Sequence, residues 1–326
     1  MTDRLGWGIL GAGRIAGAFA RDLAHDGMRL AAVASRDGDR ARAFADEHGI
    51  PTAHGSYESL AADPDVDVVY VATPHSHHLE HARIALDGGK HLLVEKAFTT
   101  SGDDAQALAD AARAAGAFAM EAMWTRFLPT MAAVRARIAA GDLGEVIGLV
   151  SDHSQVLDLS PGSRLIEPSL GGGALLDLGV YNLSLAHHLL GPATAIQASG
   201  VVDANGVDHR ASVVLEHGAG RISTSTFSMT SLGSNRAVVV GTEGAIELDP
   251  AFYTWTSFTR RRASDRDAVA ERYEARPDGR GMQLQAREVE RAVAAGETES
   301  PLMPLDESVA IMRLLDDVRA ALGEPA

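Results

Sequence analysis

Leu5-Gly6-Trp7-Gly8-Ile9-Leu10-Gly11-Ala12-Gly13-Arg14-Ile15-Ala16 decides the fold. Leu5 to Leu10 is a short apolar run stopped by glycine, which reads as a buried strand. The stretch that follows, to about Ala24, carries apolar residues at helical spacing. Two glycines and a small residue at such a joint have a physical purpose. Gly11 permits a tight turn, Gly13 lets a pyrophosphate approach the backbone, and Ala16 lets the helix pack closely on the strand. The unpaired N–H groups and positive dipole end of the helix attract an anion. Arg14 and Ile15, the first helical residues, are expected to contact the same group. A plain strand-to-helix turn is the bland alternative, and the position inside a first βαβ unit favours a dinucleotide instead.

Working outward, Leu30 to Ser35 predicts a second strand and Asp39 to His48 a charged amphipathic helix. Val66 to Thr73 and His91 to Glu95 read as strands, with a helix from His77 to Gly88 between them. Asp103 to Ala115 reads as a helix and Ala117 to Glu121 as a fifth strand. Strands alternating with such helices imply βαβ units and a Rossmann-type, doubly wound parallel sheet, so the class is α/β. Near residue 120 the pattern changes. Val146 to Gln155 is strand-like, and Gly171-Gly172-Gly173 opens an apolar helix running to Leu190. Five period-two runs follow between Ala193 and Leu248, separated by Asn205-Gly206, Gly218-Ala219-Gly220 and Gly241-Thr242-Glu243-Gly244. Helices are expected near Gln283–Ala295 and Leu305–Leu322. This predicts a dinucleotide-binding domain over 1–120. An α/β domain with a largely antiparallel open sheet follows over 121–326, for substrate binding and oligomerisation. An open sheet must cover its second face, so a homodimer or homotetramer through the C-terminal sheet is expected.

A chain of 326 residues is long for one hydrophobic core. Its formal charge of −15 repels phosphates and argues against nucleic acid or an anionic membrane as partner. The absence of cysteine rules out disulfides, a thiolate nucleophile and cysteine-held zinc. Met1 to Arg4 forms no basic flank to an export signal, and no run approaches the roughly 18 apolar residues of a membrane helix. A cytoplasmic protein is expected.

The end of the second strand bears on the choice of dinucleotide. A ribose-binding acid is expected there for NAD. The strand ends Ala34-Ser35-Arg36 instead, with Asp37 one place later. Ser35 and Arg36 suit a 2′-phosphate by hydrogen bond and charge, which favours NADP. If Asp37 takes the ribose hydroxyls and Arg36 is a solvated turn residue, the cofactor is NAD.

Val71-Ala72-Thr73-Pro74, then His78, then Gly89-Lys90-His91-Leu92-Leu93-Val94-Glu95-Lys96 resembles the signature of the Gfo/Idh/MocA oxidoreductases. Gly172-Gly173-Ala174-Leu175-Leu176-Asp177-Leu178-Gly179-Val180-Tyr181 resembles that family's second-domain motif. Glu121-Ala122-Met123-Trp124-Thr125-Arg126-Phe127 with Tyr181 narrows the resemblance to the branch of dimeric dihydrodiol and NADP-dependent xylose dehydrogenases. The resemblance implies hydride transfer that interconverts a hydroxyl and a carbonyl on a sugar, polyol or cyclic diol. It makes Lys96 the catalytic lysine, with Thr73, Pro74, His78 and Glu95 beside the cofactor. Where the family usually has proline after the lysine, this chain has Ala97, which removes no reacting group. Tyr181 is the phenol suited to general acid/base work, and Asp177, four positions earlier, is expected on the same helix face. Asp177 would hold a substrate hydroxyl or orient Lys96. Packing alone would also account for each residue singly; their combination with a dinucleotide loop favours chemistry.

Trp124, Arg126 and Arg164 are weaker candidates for the substrate pocket, the first two equally readable as packing residues. His75, His77, His78 and His81 crowd one strand-to-helix corner. There is no H-E-x-x-H, and Glu80 is expected on another side of the helix, so no metal is expected. His188 is a minor pocket candidate. The rival readings are an NAD-dependent inositol or sugar dehydrogenase and a non-catalytic dinucleotide sensor, against which retained Lys96 and Tyr181 weigh.

Overall fold

In the computed structural model, which describes residues 4–275 and 278–323, β1 (Gly6–Leu10) is buried along its whole length. After it come α1 (Arg14–His25), β2 (Arg29–Ala34), α2 (Gly38–His48), β3 (Thr52–His54) and α3 (Tyr57–Ala61). Then follow β4 (Val68–Val71), α4 (His78–Asp87), β5 (His91–Glu95), α5 (Gly102–Ala115) and β6 (Ala119–Ala122). The six strands form one parallel sheet in the order β3-β2-β1-β4-β5-β6. The order reverses between β1 and β4, and ligands of such sheets bind at the carboxyl ends of the strands there. Register determines which residues arrive: Leu10 pairs with Val71, and Val71 with Val94. Gly11, Thr73 and Lys96 therefore emerge at one edge.

Aromatic packing fixes α1 on this sheet. Trp7, Phe19 and Tyr70 are fully buried, with Phe19 5.4 Å from Trp7 and 4.0 Å from Tyr70 between ring centres. Each such burial contributes about 2–3 kcal/mol. β3 and α3 go beyond the sequence reading, because a three-residue strand is too short to display a period. β6 is consequently the sixth strand rather than the fifth.

The chain continues through α6 (Pro129–Ala139), β7 (Val146–Ser154) and α7 (Val180–Leu190). Next come β8 (Ala193–Val202), β9 (Asp208–His217), β10 (Arg221–Ser228), β11 (Ala237–Gly241) and β12 (Gly244–Leu248), the five runs expected from periodicity. β13 (Phe258–Arg262) and β14 (Asp265–Tyr273) follow, then α8 (Met282–Ala294) and α9 (Leu305–Leu322). An eight-stranded sheet runs β14-β13-β12-β11-β7-β10-β9-β8. Among the described residues only its β7–β10 pair is parallel, so the sheet is largely antiparallel. The sequence hides β13 because it reads Phe-Thr-Arg-Arg-Arg, which lacks apolar alternation. Arg260 is nevertheless buried, its charge met by Glu271 at 3.2 Å. Glu271 also takes a two-pronged contact from Arg137, at 2.7 and 2.6 Å.

The chain divides into two compact units, Met1–Trp124 with Asp278–Val309, and Thr125–Pro277 with Ala310–Ala326. The sequence reading places a single boundary near residue 120 and does not register the return at 278. That return is anchored by Asp22, a buried carboxylate accepting the backbone N–H of Arg280 and Met282 at 2.8 and 2.9 Å. On α8, Glu290 accepts from the Trp7 indole at 3.2 Å. No local pattern in the sequence announces contacts of such long range. Among the described residues, no helix is long and apolar enough to cross a membrane.

Candidate active site

The glycine loop is built for an anion. Gly11 has φ of 102°, and a Cβ there would come within 2.9 Å of the Ala72 carbonyl, so only glycine is free of strain. Gly13 differs: a Cβ there would meet no protein atom within 4 Å. The space beside it is open, which suits the approach of a pyrophosphate. Gly13 also caps α1 without a side-chain bond, and the first turn holds no acid, so the helix end keeps its positive character. Ala16 is fully buried against the sheet. Arg14 and Ile15 open the helix. The residues present thus fit a dinucleotide.

At the end of β2, the Ser35 hydroxyl accepts from the Asp37 N–H at 3.3 Å. Asp37 itself caps α2, taking the N–H groups of Asp39 and Arg40 at 3.0 and 3.1 Å. Arg36 lies exposed beside the Tyr57 hydroxyl. Sequence reasoning missed Arg40, whose guanidinium binds the Ala12 carbonyl at 3.2 and 3.0 Å and ties α2 to the glycine loop. A cation at the third position of a charged helix gave no signal to find it by.

Lys96 directly follows β5 and is buried, at 9% exposure. Around it the loop is held by histidines. His75 Nε2 lies 3.2 Å from the Lys96 carbonyl. His78, fully buried, faces the Ala97 and Phe98 carbonyls with Nδ1 at 3.0 and 3.2 Å and the Thr73 carbonyl with Nε2 at 2.9 Å. Both ring nitrogens thus meet acceptors, and His78 clamps the ends of β4 and β5 together. The Lys96–Ala97 peptide is cis. Glu95 is buried and accepts the Tyr70 hydroxyl, so it supports the loop from the core side. Pro74 starts the short turn His75–His77. Thr73 binds His81 Nδ1 through its hydroxyl at 2.9 Å. Burial and the neighbouring charges of His77 and His78 push His81 down to about 4. The expected separation of Glu80 from the histidines is not what the structure shows: Glu80 Oε2 lies 3.8 Å from His77 Nδ1. Trp124 is buried, with the Arg280 guanidinium 5.5 Å above its ring.

In the second unit, Gly173 has φ of 115°, and a Cβ there would meet the Asp208 carboxylate at 2.1 Å. That carboxylate accepts the Leu175 N–H at 2.6 Å and starts the helix. The sequence predicts a regular helix here, but Leu175–Gly179 winds as a π turn before α7 begins. The wide turn leaves the Leu178 carbonyl for His153 Nδ1, at 3.1 Å. Asp177 therefore does not stand at regular α-helical spacing from Tyr181. Its carboxylate is held by Arg164 at 2.7 Å, which brings two of the sequence candidates together.

The Tyr181 ring is 9% exposed and meets His153 edge-on at 5.2 Å and Tyr253 at 5.6 Å. Tyr253 stacks on His153 at 3.7 Å, and Gln155 bridges the Tyr253 hydroxyl and His153 Nε2 at 3.1 and 2.9 Å. Sequence reasoning missed all three. His153 sits at an inward position of β7, which alternation discloses, whereas Tyr253 lies in a loop. Arg126 is 3% exposed and donates to the Ser184 hydroxyl and carbonyl at 2.9 and 3.2 Å. It also lies 3.3 Å from His188 Nδ1. These contacts hold Arg126 against α7.

His188 is pushed down to about 3 by burial, and then by the charges of Arg126, Arg135 and His187. A histidine depressed in the fold favours the native state while neutral. Its contribution is complete above the ordinary value of 6.5 and is lost as pH falls towards 3. Between pH 7 and pH 5 the protein should lose about 2 kcal/mol through this group. Urea unfolding of His188→Gln, which keeps an acceptor for Arg126, should show a correspondingly flatter pH dependence. Equal slopes in both proteins would disprove the assignment.

Two family models match the chain. Residues 5–123 match the oxidoreductase family with an NAD-binding Rossmann fold, and 131–247 match the GFO/IDH/MocA C-terminal domain. The chain belongs to the Gfo/Idh/MocA family, and it is an NAD(P)-dependent oxidoreductase. It is 34% identical to trans-1,2-dihydrobenzene-1,2-diol dehydrogenase of Danio rerio, across 98% of this chain and 97% of that one. Among solved structures it resembles aldose-aldose oxidoreductase from Caulobacter crescentus complexed with glycerol. The TM-score is 0.87 and the identity 26%, across 98% of this chain and 97% of that one. A 3-ketoreductase from Actinomadura kijaniata, solved with NADP and TDP-benzene, gives 0.86 and 27%, across 98% of both chains.

Proposed function

We propose that this oxidoreductase interconverts a hydroxyl and a carbonyl on a sugar, polyol or cyclic diol, with NADP favoured over NAD. The chemistry at CH–OH carbons is that of the diol dehydrogenase relative and the sugar oxidoreductases it resembles. The open, acid-free cradle at Gly13 carries the reading, because it offers a pyrophosphate both free space and the unpaired N–H groups of a helix end directly after a buried strand. When bound, the nicotinamide supplies the hydride acceptor or donor. Tyr181 moves the substrate hydroxyl proton at its phenol oxygen. Lys96 hydrogen-bonds the reacting oxygen with an ammonium whose burial limits competition from water. Asp177, fixed by Arg164, orients a substrate hydroxyl. Trp124 lines the approach for the substrate. We further expect a cytoplasmic homodimer or homotetramer formed through the C-terminal sheet.

Preference for NADP is supported by the engagement of Asp37 in capping, which leaves Arg36 as the charged group at the end of β2. Arg36→Ala should weaken NADP binding by about 10–100-fold, the loss of one charged hydrogen-bonding group. NAD binding should change by less than about threefold on the same argument. Equal losses for both dinucleotides, or none, would favour NAD as the cofactor. Absorbance at the reduced-nicotinamide band, with a panel of aldoses, inositols and cyclic diols, then identifies the substrate class. Tight dinucleotide binding without turnover on any panel member would point to a sensor.

A further inference from the structure

A cavity of about 290 Å³ opens beside the carboxyl end of β2, lined by Arg36, Tyr57, Glu58, His77, Glu80 and His81 among others. Three of the lining residues, His77, Glu80 and His81, offer one ligand atom each, and the three atoms lie within 4.8 Å of one another. The spacing has a simple origin: residues three and four positions apart share one face at the start of α4. The rings are also held in place. His77 and His81 stack at 5.3 Å, and Tyr57 packs edge-on against His81 at 4.4 Å. The Thr73 hydroxyl occupies His81 Nδ1 at 2.9 Å, and with the proton there, the Nε2 lone pair is presented to a ligand. Histidines that bind metals are usually fixed through the other nitrogen in this way.

We propose that His77, Glu80 and His81 bind one divalent transition ion of the zinc class, with water completing the coordination. Two imidazoles and a carboxylate suit such an ion, whereas magnesium and calcium prefer all-oxygen sets. The helix N-terminus and the Arg36 guanidinium repel a cation, and the carboxylates of Glu80 and Glu58 at the cavity offset that repulsion. The ion clamps the first turn of α4 and, through His81, holds Thr73 at the end of β4.

The test uses the full-length, chelator-treated protein titrated calorimetrically with zinc, and with cobalt(II) read by its visible d–d bands. The comparison set is His77→Ala, Glu80→Gln and, as a control, His25→Ala, an exposed histidine paired with Asp278 elsewhere. The expected result is one saturable site, weakened at least tenfold in each of the first two variants and unchanged in the control. Zinc should also raise the thermal midpoint of the wild type but not of His77→Ala or Glu80→Gln. Absence of saturable binding, binding that survives in either His77→Ala or Glu80→Gln, or an equal loss in His25→Ala would each overturn the proposal.

Discussion

Replacement of Tyr181 by phenylalanine is expected to lower kcat/KM by about 10²–10⁴-fold, the usual worth of a positioned proton donor or acceptor. The dinucleotide Kd should stay within about twofold, because the change removes no group proposed to touch the cofactor. The substitution tests chemistry rather than folding: the ring keeps its contacts with His153 and Tyr253, and only the hydroxyl is lost. Lys96→Ala should fall as far, with a larger risk to loop order because the lysine is buried. Steady-state rates beside equilibrium dinucleotide titrations separate the effects. Tyr181→Phe turning over within a few-fold of wild type would remove Tyr181 from the proton-transfer role.

Gly13→Val should weaken dinucleotide binding about 100-fold or more with little change in thermal midpoint. A Cβ at position 13 would meet no protein atom within 4 Å, so the first atom of a side chain finds open space there. It fills the very space through which a pyrophosphate would reach the α1 N–H groups. Gly11→Val should behave oppositely in kind. Its positive φ and the Ala72 carbonyl at 2.9 Å make it unfavourable to the fold itself, by about 1–3 kcal/mol in backbone strain alone. Fluorescence titration and thermal unfolding of both variants would distinguish a cradle from a plain turn. Unimpaired binding in Gly13→Val would argue that the dinucleotide does not use this loop.

Where side-chain period and turn chemistry are local, the sequence is readable. The strand and helix ends around Gly11 and the five strands between 193 and 248 were visible because alternation and glycine mark them. Charge conceals what period reveals, as β13 shows with its buried Arg260 neutralised by Glu271. The π turn at Leu175–Gly179 is illegible for another reason: its sequence is a good α-helix, and the partners it meets, Asp208 and His153, are both distant in the chain. The candidate site divides similarly. Lys96, Tyr181 and the glycines stand in recognisable strings. Arg40 and the stacked His153 and Tyr253 acquire meaning only through partners that no window of sequence contains.

The first unit is interrupted: the chain leaves it at Trp124 and re-enters at Asp278. On the ribosome, Asp22 and Trp7 emerge long before the partners that satisfy them on the returning segment. At 5–20 residues per second, the 258 residues between Asp22 and Arg280 impose a wait of about 13–50 s. Throughout that interval the α1 face that α8 will cover is open to other chains. The nascent protein is thus most in need of chaperone protection while its first half is already synthesised.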